Sequence, residues 1–266
     1  MAFGIDYSFG SGLTTGIMKA AGVRFVARYL AYRPNAKCIN QLEFTTLVRA
    51  GLFVVFVWEG TGRDLVNGFR GGQHDAQEAN RQVTELGAKG CPIYFAPADY
   101  DVPEGDQGNY NAYLDGVASI IGRSRTGAYG GYWPLSRAFN GGHCHYGWQT
   151  YAWSGGNVDR RSHLYQYHNA ARMGPAEVDY DKSFKTDFGQ WPRPRQPAPP
   201  PPKPPPPPPH KEGDPYLQTA DGKHSLAQIA DGRGSTVEHL LGVPGNVAML
   251  SRLVLPAGTH YYTTRG

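Results

Sequence analysis

Residues 40–59 read NQLEFTTLVRAGLFVVFVWE, a helix-like stretch followed by an unbroken apolar run at residues 52–58. Gly51 stands where a helix is expected to end, because glycine tolerates the left-handed backbone found just past a helix terminus. The apolar run shows no alternation with polar residues, which is typical of a strand buried on both faces of a parallel sheet. This stretch therefore predicts one helix–strand unit of an α/β fold.

The same alternation extends to both sides of this unit. Helix-like stretches occupy residues 14–21, 74–89 and 110–121. The other strand-like runs are residues 3–7, 24–30, 92–98, 126–130, 148–152, 164–167 and 177–180. Eight strands within about 190 residues predict a compact α/β domain, a (β/α)₈ TIM-barrel-like fold with short or missing helices in its second half.

The composition changes sharply at Pro192. Of the 22 prolines in the chain, 14 lie within residues 192–215, where proline fixes φ and lacks the N–H that helices and sheets need. A stiff polyproline spacer is expected there. The prediction is a barrel at residues 1–191, a proline-rich linker at 192–215 and a small β-α-α-β module at 216–266.

Composition also limits the classes of function. The chain is 40% apolar and 18% charged, enough for a buried core, and its net charge of +4 is too mild to indicate a nucleic-acid partner. No apolar run approaches the length of a membrane span. Cys38, Cys91 and Cys144 are odd in number and widely spaced, and His143 and His145 beside Cys144 lack further ligands. We predict no disulfide framework, no metal site and no cofactor.

Carboxylates follow several of the strand-like runs, at the end where parallel barrels place their active sites. Asp99 and Asp101, two residues apart on extended chain, are expected to face the same side. Converging carboxylates suit glycoside hydrolysis, in which one protonated acid serves the leaving oxygen. Another carboxylate stabilises positive charge or orients an N-acetyl group. The candidates are Asp6, Glu59, Asp99, Asp101 and Asp179, whereas we expect Asp181 and Asp187 to cap helices or pair with arginines.

Aromatic residues gather on the same segments, and their rings can stack on sugar faces. Tyr129 and Trp153 fit either a core position or a sugar-binding one. The residues that we expect to bind substrate are Tyr29, Tyr129, Tyr132, Trp153 and Gln166.

Seven segments occur in a fixed order along the barrel region: FGIDYS, AAGVRFVARYL, PIYFAPADYD, GAYGGYWPLSRA, WQTYAWSGG, LYQY and VDYD. Together they resemble the glycoside-hydrolase-like domain of the DUF1906 (Rv2525c-like) type. That family is related to the family-25 lysozymes, which include phage endolysins. The resemblance covers roughly residues 2–190.

The resemblance implies specific roles. Family-25 muramidases cleave the bond between N-acetylmuramic acid and N-acetylglucosamine, using an Asp on the first and last strands and a D-x-E motif after the fourth. Asp6, Asp179 and Asp99 match the aspartates, but Asp101 stands where the acid Glu is expected. Aspartate is one methylene shorter, and a displacement of about 1 Å can cost about 10²-fold in rate. Asp101 acts with a shifted backbone, or Glu59 supplies the acid, or the domain binds glycan without cutting it.

The last 50 or so residues resemble a LysM domain, on SLAQIA (residues 225–230), TVEHL (236–240) and LVLPAGT (253–259). LysM domains bind glycans that contain N-acetylglucosamine, such as peptidoglycan. We therefore predict a peptidoglycan hydrolase of the muramidase-like endolysin type. The alternative is a non-catalytic peptidoglycan-binding or structural phage or surface protein that uses a degenerate barrel as a lectin.

The N-terminal residues MAFGIDYSFG contain no basic segment followed by an apolar one, so we expect no secretory signal peptide. We therefore expect that the protein is made in the cytoplasm and acts at the cell wall, after release through a holin pore or from a virion. The expected partner is peptidoglycan or a related glycan, and the expected state is a monomer.

Overall fold

The computed structural model describes residues 1–10, 12–32 and 36–193, together with the backbone of residues 217–219 and 260–262. The chain divides into two units, residues 1–196 and 197–266. In the second unit the strand Leu217–Thr219 pairs antiparallel with His260–Tyr262. Nearly all of the predicted linker, and both helices of the LysM-like module, lie outside the described residues, so those interpretations stay predictions.

The first unit is a closed eight-stranded barrel whose strands follow one another in chain order. The predicted fold class is confirmed, and each predicted strand overlaps an observed one. The strands are β1 Phe3–Asp6, β2 Phe25–Leu30, β3 Phe53–Trp58, β4 Ile93–Phe95, β5 Thr126–Gly130, β6 Tyr146–Thr150, β7 Leu164–Met173 and β8 Ala176–Ser183.

Five α-helices cover the outside of β1 to β6: α1 Thr15–Ala20, α2 Gln41–Arg49, α3 Gly68–Glu85, α4 Gln107–Ile121 and α5 Tyr132–Asn140. Short 3₁₀ turns occupy Asp64–Asn67, Glu104–Asp106 and Arg123–Arg125. The helix α2 begins at a side-chain cap, because Asn40 accepts a hydrogen bond from the backbone N–H of Glu43 at 2.9 Å. The sequence analysis did not predict α5.

The helix α3 begins six residues before the predicted start, within a glycine-rich stretch of weak helix propensity. Two glycines explain why tertiary packing overrides that weakness. A Cβ atom on Gly72 would lie 1.9 Å from the carbonyl oxygen of Tyr113, and one on Gly116 would lie 2.0 Å from that of Phe69. The backbones of α3 and α4 therefore approach each other at a distance that only glycine permits.

The last strand runs against the predicted parallel pattern. β8 is antiparallel to both β7 and β1, whereas all the other neighbouring pairs of the barrel are parallel. Only Gly174 and Pro175 connect β7 to β8, and a two-residue link permits a hairpin but not a parallel crossover. The N-terminal half of β8 consequently lies at the same barrel end as the C-terminal ends of the other strands.

The apolar core has two parts. One lies between the strands and the helices, and the other fills the lower half of the barrel interior. Phe188 packs under this interior cluster, where its carbonyl oxygen accepts a hydrogen bond from Tyr94 at 2.8 Å. Just after it, Trp191 and Val54 exchange two backbone hydrogen bonds of 2.7 and 2.8 Å, which fix the chain at the start of β3. No helix among the described residues has the length and apolarity to cross a membrane.

Candidate active site

The upper end of the barrel interior is polar. It opens into two adjoining cavities of about 190 and 220 Å³ that share Tyr29 and Asp179 in their walls. The first cavity, called here the mouth cavity, contains most of the predicted site residues. They are Tyr29, Glu59, Asp99, Tyr129, Trp153, Gln166 and Asp179.

Asp6 lies at the last position of β1 and is 1% exposed. Its Oδ1 accepts a hydrogen bond of 2.7 Å from the hydroxyl of Tyr29, and its Oδ2 accepts one of 2.9 Å from Nε2 of Gln166. Burial raises the pKa of Asp6, while these two hydrogen bonds act in the opposite direction. The side chain borders the second cavity and supports the floor of the site.

Asp179 is the direct partner of Asp6 across the β1–β8 pair. It is half-buried, and burial, followed by the charge of Asp6, raises its pKa to about 6. Its Oδ2 accepts a hydrogen bond of 3.0 Å from Gln166, and its Oδ1 accepts one of 2.8 Å from the backbone N–H of Ala170. A carboxyl group with a pKa near neutrality can give up a proton at a working pH, which is the property required of a general acid.

A bulge in β7 positions two of the groups around Asp179. The β7–β8 register shifts between His168 and Ala171, and Ala170 adopts a φ of 55°. A positive φ is uncommon for a residue with a side chain and is concentrated at functional sites. Beside it, Asn169 borders the mouth cavity, and its buried Oδ1 accepts no hydrogen bond from the described residues. The bulge thus presents a backbone donor to Asp179 and a side-chain acceptor to the cavity.

Gln166 connects the polar groups of the site. Its amide donates to both Asp6 and Asp179, and its Oε1 accepts a hydrogen bond of 2.9 Å from the hydroxyl of Tyr129. The ring of Tyr129 packs edge-on against Trp148 and Trp153, with centroid distances of 5.1 and 6.4 Å. Gln166 therefore fixes the carboxyl groups, and Tyr129 and Trp153 give the cavity an aromatic wall.

Glu59 and Asp99 approach the cavity from the loops after β3 and β4. Glu59 forms an ion pair of 2.6 Å with Nζ of Lys37, and that ammonium group also lies 4.3 Å from the ring centre of Tyr29. Asp99 is exposed, and its backbone N–H donates to the carbonyl oxygen of Gly62 at 2.9 Å. Nothing in the sequence pattern identified Lys37, because it belongs to no predicted strand or helix.

Asp101 and Tyr132 are not among the residues that border the mouth cavity. Asp101 borders a different depression, beside Trp133 and Arg137. The expectation that Asp99 and Asp101 face one side is wrong, because β4 ends at Phe95 and the two residues follow in non-strand conformation. Tyr132 begins α5, where its ring packs edge-on against Trp133 at a centroid distance of 4.8 Å.

Asp181 differs from its predicted structural role. It is fully buried inside the barrel, pairs with Gly4 one step below Asp179, and accepts a hydrogen bond of 2.8 Å from Nε1 of Trp148. It neither caps a helix nor pairs with an arginine. Asp187 does contact Arg193, at 3.4 Å. The sequence was interpreted with β8 parallel to its neighbours. With β8 antiparallel, Asp181 would have been expected inside the barrel, below Asp179.

Two other features lie apart from the mouth cavity. A larger cavity of about 750 Å³ contains Asp64 and Asp75, whose oxygens already accept hydrogen bonds from Thr61 and from two tyrosine hydroxyls. In the His-Cys-His segment, Nδ1 of His143 contacts Asp115 at 2.9 Å. Within the described ranges, no three His, Cys, Asp or Glu side chains are grouped in a way that could hold a metal ion.

The sequence matches one protein-family model, described as "Rv2525c-like, glycoside hydrolase-like domain", over residues 17–184. The chain belongs to this family. The Rv2525c-like domain accounts for the barrel from α1 to the end of β8, including every group of the mouth cavity. No curated protein matches the chain.

Solved structures share the fold of this chain. The Tat-secreted protein Rv2525c of Mycobacterium tuberculosis, in complex with L-tartrate, is 27% identical, with a TM-score of 0.66 over 71% of this chain and 98% of that one. The autolysin LytC of Streptococcus pneumoniae, in complex with a synthetic peptidoglycan ligand, is 13% identical, with a TM-score of 0.50 over 68% of this chain and 46% of that one. The CTP1L endolysin is 9% identical, with a TM-score of 0.50 over 71% and 68%. The last two share the fold with this chain.

Proposed function

We propose that this Rv2525c-like protein is a glycoside hydrolase that cleaves the glycan strands of peptidoglycan. The observation that carries the proposal is the carboxyl pair Asp6 and Asp179 at the polar end of the barrel, bridged by Gln166, with the pKa of Asp179 raised to about 6. The family membership supports the class of reaction, and the aromatic wall of Tyr129 and Trp153 suits the flat faces of sugar rings.

In the proposed mechanism, Asp179 donates its proton to the glycosidic oxygen as the bond to the anomeric carbon breaks. Asp6 stays behind Asp179, where its charge keeps the pKa of the acid high. Asp99 faces the cavity from the loop after β4, which is opposite β8 in an eight-stranded barrel. Its carboxylate stabilises the positive charge at the anomeric carbon or orients the N-acetyl group of the sugar for attack, after which a water molecule adds to that carbon and returns a proton to Asp179.

This assignment differs from the two acids, Asp101 and Glu59, that the sequence analysis considered. Asp101 does not border the mouth cavity, and Glu59 pairs with the ammonium group of Lys37. Asp179 combines access to the cavity with a pKa in the working range, so it is the better candidate for the acid.

One observation favours the non-catalytic alternative, in which the barrel binds glycan as a lectin. The mouth cavity holds about 190 Å³, which is below the range of about 300–1,000 Å³ of most small-molecule sites. A site of this size can bind one edge of a polymer without enclosing a whole sugar unit. The proposed site of action for either function is the cell wall, after release from the cytoplasm through a holin pore or from a virion.

The deciding experiment uses purified cell walls with the full-length chain and its Asp99→Asn variant. We expect the wild type to release fragments with new reducing ends, identified by mass spectrometry, and the variant to lose about 10²-fold or more in rate. Both proteins should sediment equally with the walls. Binding without any release by the wild type would exclude hydrolysis of this substrate and leave the lectin.

A further inference from the structure

Asp181 is a buried carboxyl group that the proposed mechanism does not use. It projects into the barrel from β8, two residues after Asp179, and its side chain is completely shielded from solvent. Its partner on β1 is Gly4, a position at which any Cβ would overlap the ring of Phe25. The side chain is therefore enclosed between the apolar lower interior and the polar site above.

The two oxygens of Asp181 have different surroundings. Oδ1 accepts the hydrogen bond from Nε1 of Trp148 at 2.8 Å. Oδ2 is buried, and no N–H or O–H group of the described residues donates to it. Asp6 lies two residues from Gly4 on β1, on the same face of the β1–β8 pair, and its carboxyl group is in hydrogen-bond contact with that of Asp181. Two carboxylate oxygens can form such a bond only if one of them carries a proton.

The occupied oxygens of Asp6 indicate where that proton resides. Both accept hydrogen bonds, from Tyr29 and Gln166, as expected of an ionised carboxylate. Oδ2 of Asp181 has no such donor, so it is the atom that gains most from a proton of its own. Two adjacent carboxyl groups in a site closed to water do not both ionise near neutral pH, because each charge opposes the other.

The charges around the pair agree with this arrangement. Burial, and then the charge of Asp6, hold the pKa of Asp181 well above its usual value. The guanidinium group of Arg28 lowers the pKa of Asp6, but by less than burial raises it. Titratable groups that interact with the pair include Asp179 on β8, Tyr29 on β2, Tyr94 on β4, Tyr129 on β5 and Tyr167 on β7.

We propose that Asp181 is a positioning residue that retains a proton on Oδ2 at neutral pH and donates it in a hydrogen bond to the carboxylate of Asp6. This bond is the third to Asp6, after those from Tyr29 and Gln166, and it fixes the carboxylate directly behind Asp179. The expected effect on activity rests on the proposed function, whereas the presence of a proton between Asp181 and Asp6 does not depend on it.

The test compares the pH dependence of thermal stability for the wild type, Asp181→Asn and the control Asp187→Asn. The amide of Asp181→Asn can still donate to Asp6 and accept from Trp148, but it takes up no proton. A group whose pKa is raised on folding loses its contribution to stability as the pH rises above the unfolded value of about 4. Asp6 and Asp179 are present in all three proteins, so a pH-dependent difference in stability reports the proton that is bound only when Asp181 is present.

We expect the melting temperature of Asp181→Asn, relative to that of the wild type, to rise by about 3–5 °C for each pH unit between pH 5 and pH 7. Asp187→Asn, which removes a carboxylate that contacts Arg193 at the surface, should follow the wild type. A difference between Asp181→Asn and the wild type that stays constant with pH would overturn the proposal. If Asp181→Asn does not fold, the test uses the carboxyl ¹³C resonances of wild-type protein labelled at aspartate. One buried carboxyl group should stay protonated at pH 7. A spectrum in which every aspartate is ionised at that pH would overturn the proposal.

Activity on cell walls gives a second readout. Asp181→Ala removes the donor to Asp6 and should lower the rate, whereas Asp181→Asn should retain it, so the conservative variant rescues the position. Equal losses in both variants would show that Asp181 does not act through this hydrogen bond. If the wild type releases nothing from walls, the proposed function fails, and the stability series still decides whether the proton is present.

Discussion

The polar end of the barrel, with its two adjoining cavities, has two walls that are built differently. The strand wall consists of Asp6, Gln166, Asn169 and Asp179, which project from β1, β7 and β8. The loop wall consists of Glu59 and Asp99, which follow the ends of β3 and β4. Three of the four strand-wall side chains are tied to one another by hydrogen bonds, whereas Asp99 is held through its backbone. Barrel geometry therefore sets the strand wall, and loop conformation sets the loop wall.

This difference predicts that the largest effect on activity comes from the strand wall. Asp179→Asn removes the proposed proton donor and should reduce the hydrolysis rate by about 10²–10⁴-fold, measured as reducing ends released from walls. Asp101→Asn is the matched control, because this aspartate borders a separate depression and should alter the rate little. Comparable losses in both variants would contradict the separation of Asp101 from the site.

The pH profile should reflect the same residue. The acid must be protonated to act, and the pKa of Asp179 is raised to about 6, so activity should decline as the pH rises through about 6. Any residual activity of Asp179→Asn should lack this decline. A wild-type profile that stays flat between pH 5 and 8 would argue against Asp179 as the acid.

The two walls should also differ in their contribution to folding. Gln166→Leu removes the acceptor of the Tyr129 hydroxyl and one hydrogen-bond donor to each of Asp6 and Asp179, and should lower the free energy of unfolding by about 1–3 kcal/mol. Asp99→Asn and the exposed control Gln41→Leu should each change it by less than about 0.5 kcal/mol. Urea denaturation measures all three, and a loss for Asp99→Asn as large as that for Gln166→Leu would remove the distinction.

The smallest expected effect concerns Asn169. Its buried Oδ1, which accepts no hydrogen bond from any residue that the structure describes, borders the mouth cavity and is suited to an N–H or hydroxyl of the sugar. Asn169→Ala should weaken binding of a soluble wall fragment by about 2–10-fold, as expected for one hydrogen bond, with titration calorimetry as the measurement. Arg172→Ala, on the same hairpin, serves as the control, and equal affinities of all three proteins would exclude this contact.

The sequence was most informative where strands are regular. Asp6, Gln166 and Asp179 were recognisable because each lies on a strand of strong pattern, and all three converge as expected. Asp101 was misplaced because strand spacing was extended past Phe95, where β4 has already ended. Asp181 was misjudged because the direction of β8 depends on a two-residue connection rather than on its own residues. Lys37 and Asn169 reach the cavity through a loop and a bulge, and neither has a simple sequence pattern.

The backbone pair between Trp191 and Val54 has a mechanical consequence. The chain continues beyond Arg193 into the proline-rich segment, so tension applied from that side first loads these two hydrogen bonds at the start of β3. The mouth lies at the other end of the strands, beyond the packed interior of Phe25, Tyr94 and Phe188. A barrel pulled from this direction would therefore keep its cavity undistorted until the two hydrogen bonds between Trp191 and Val54 had broken.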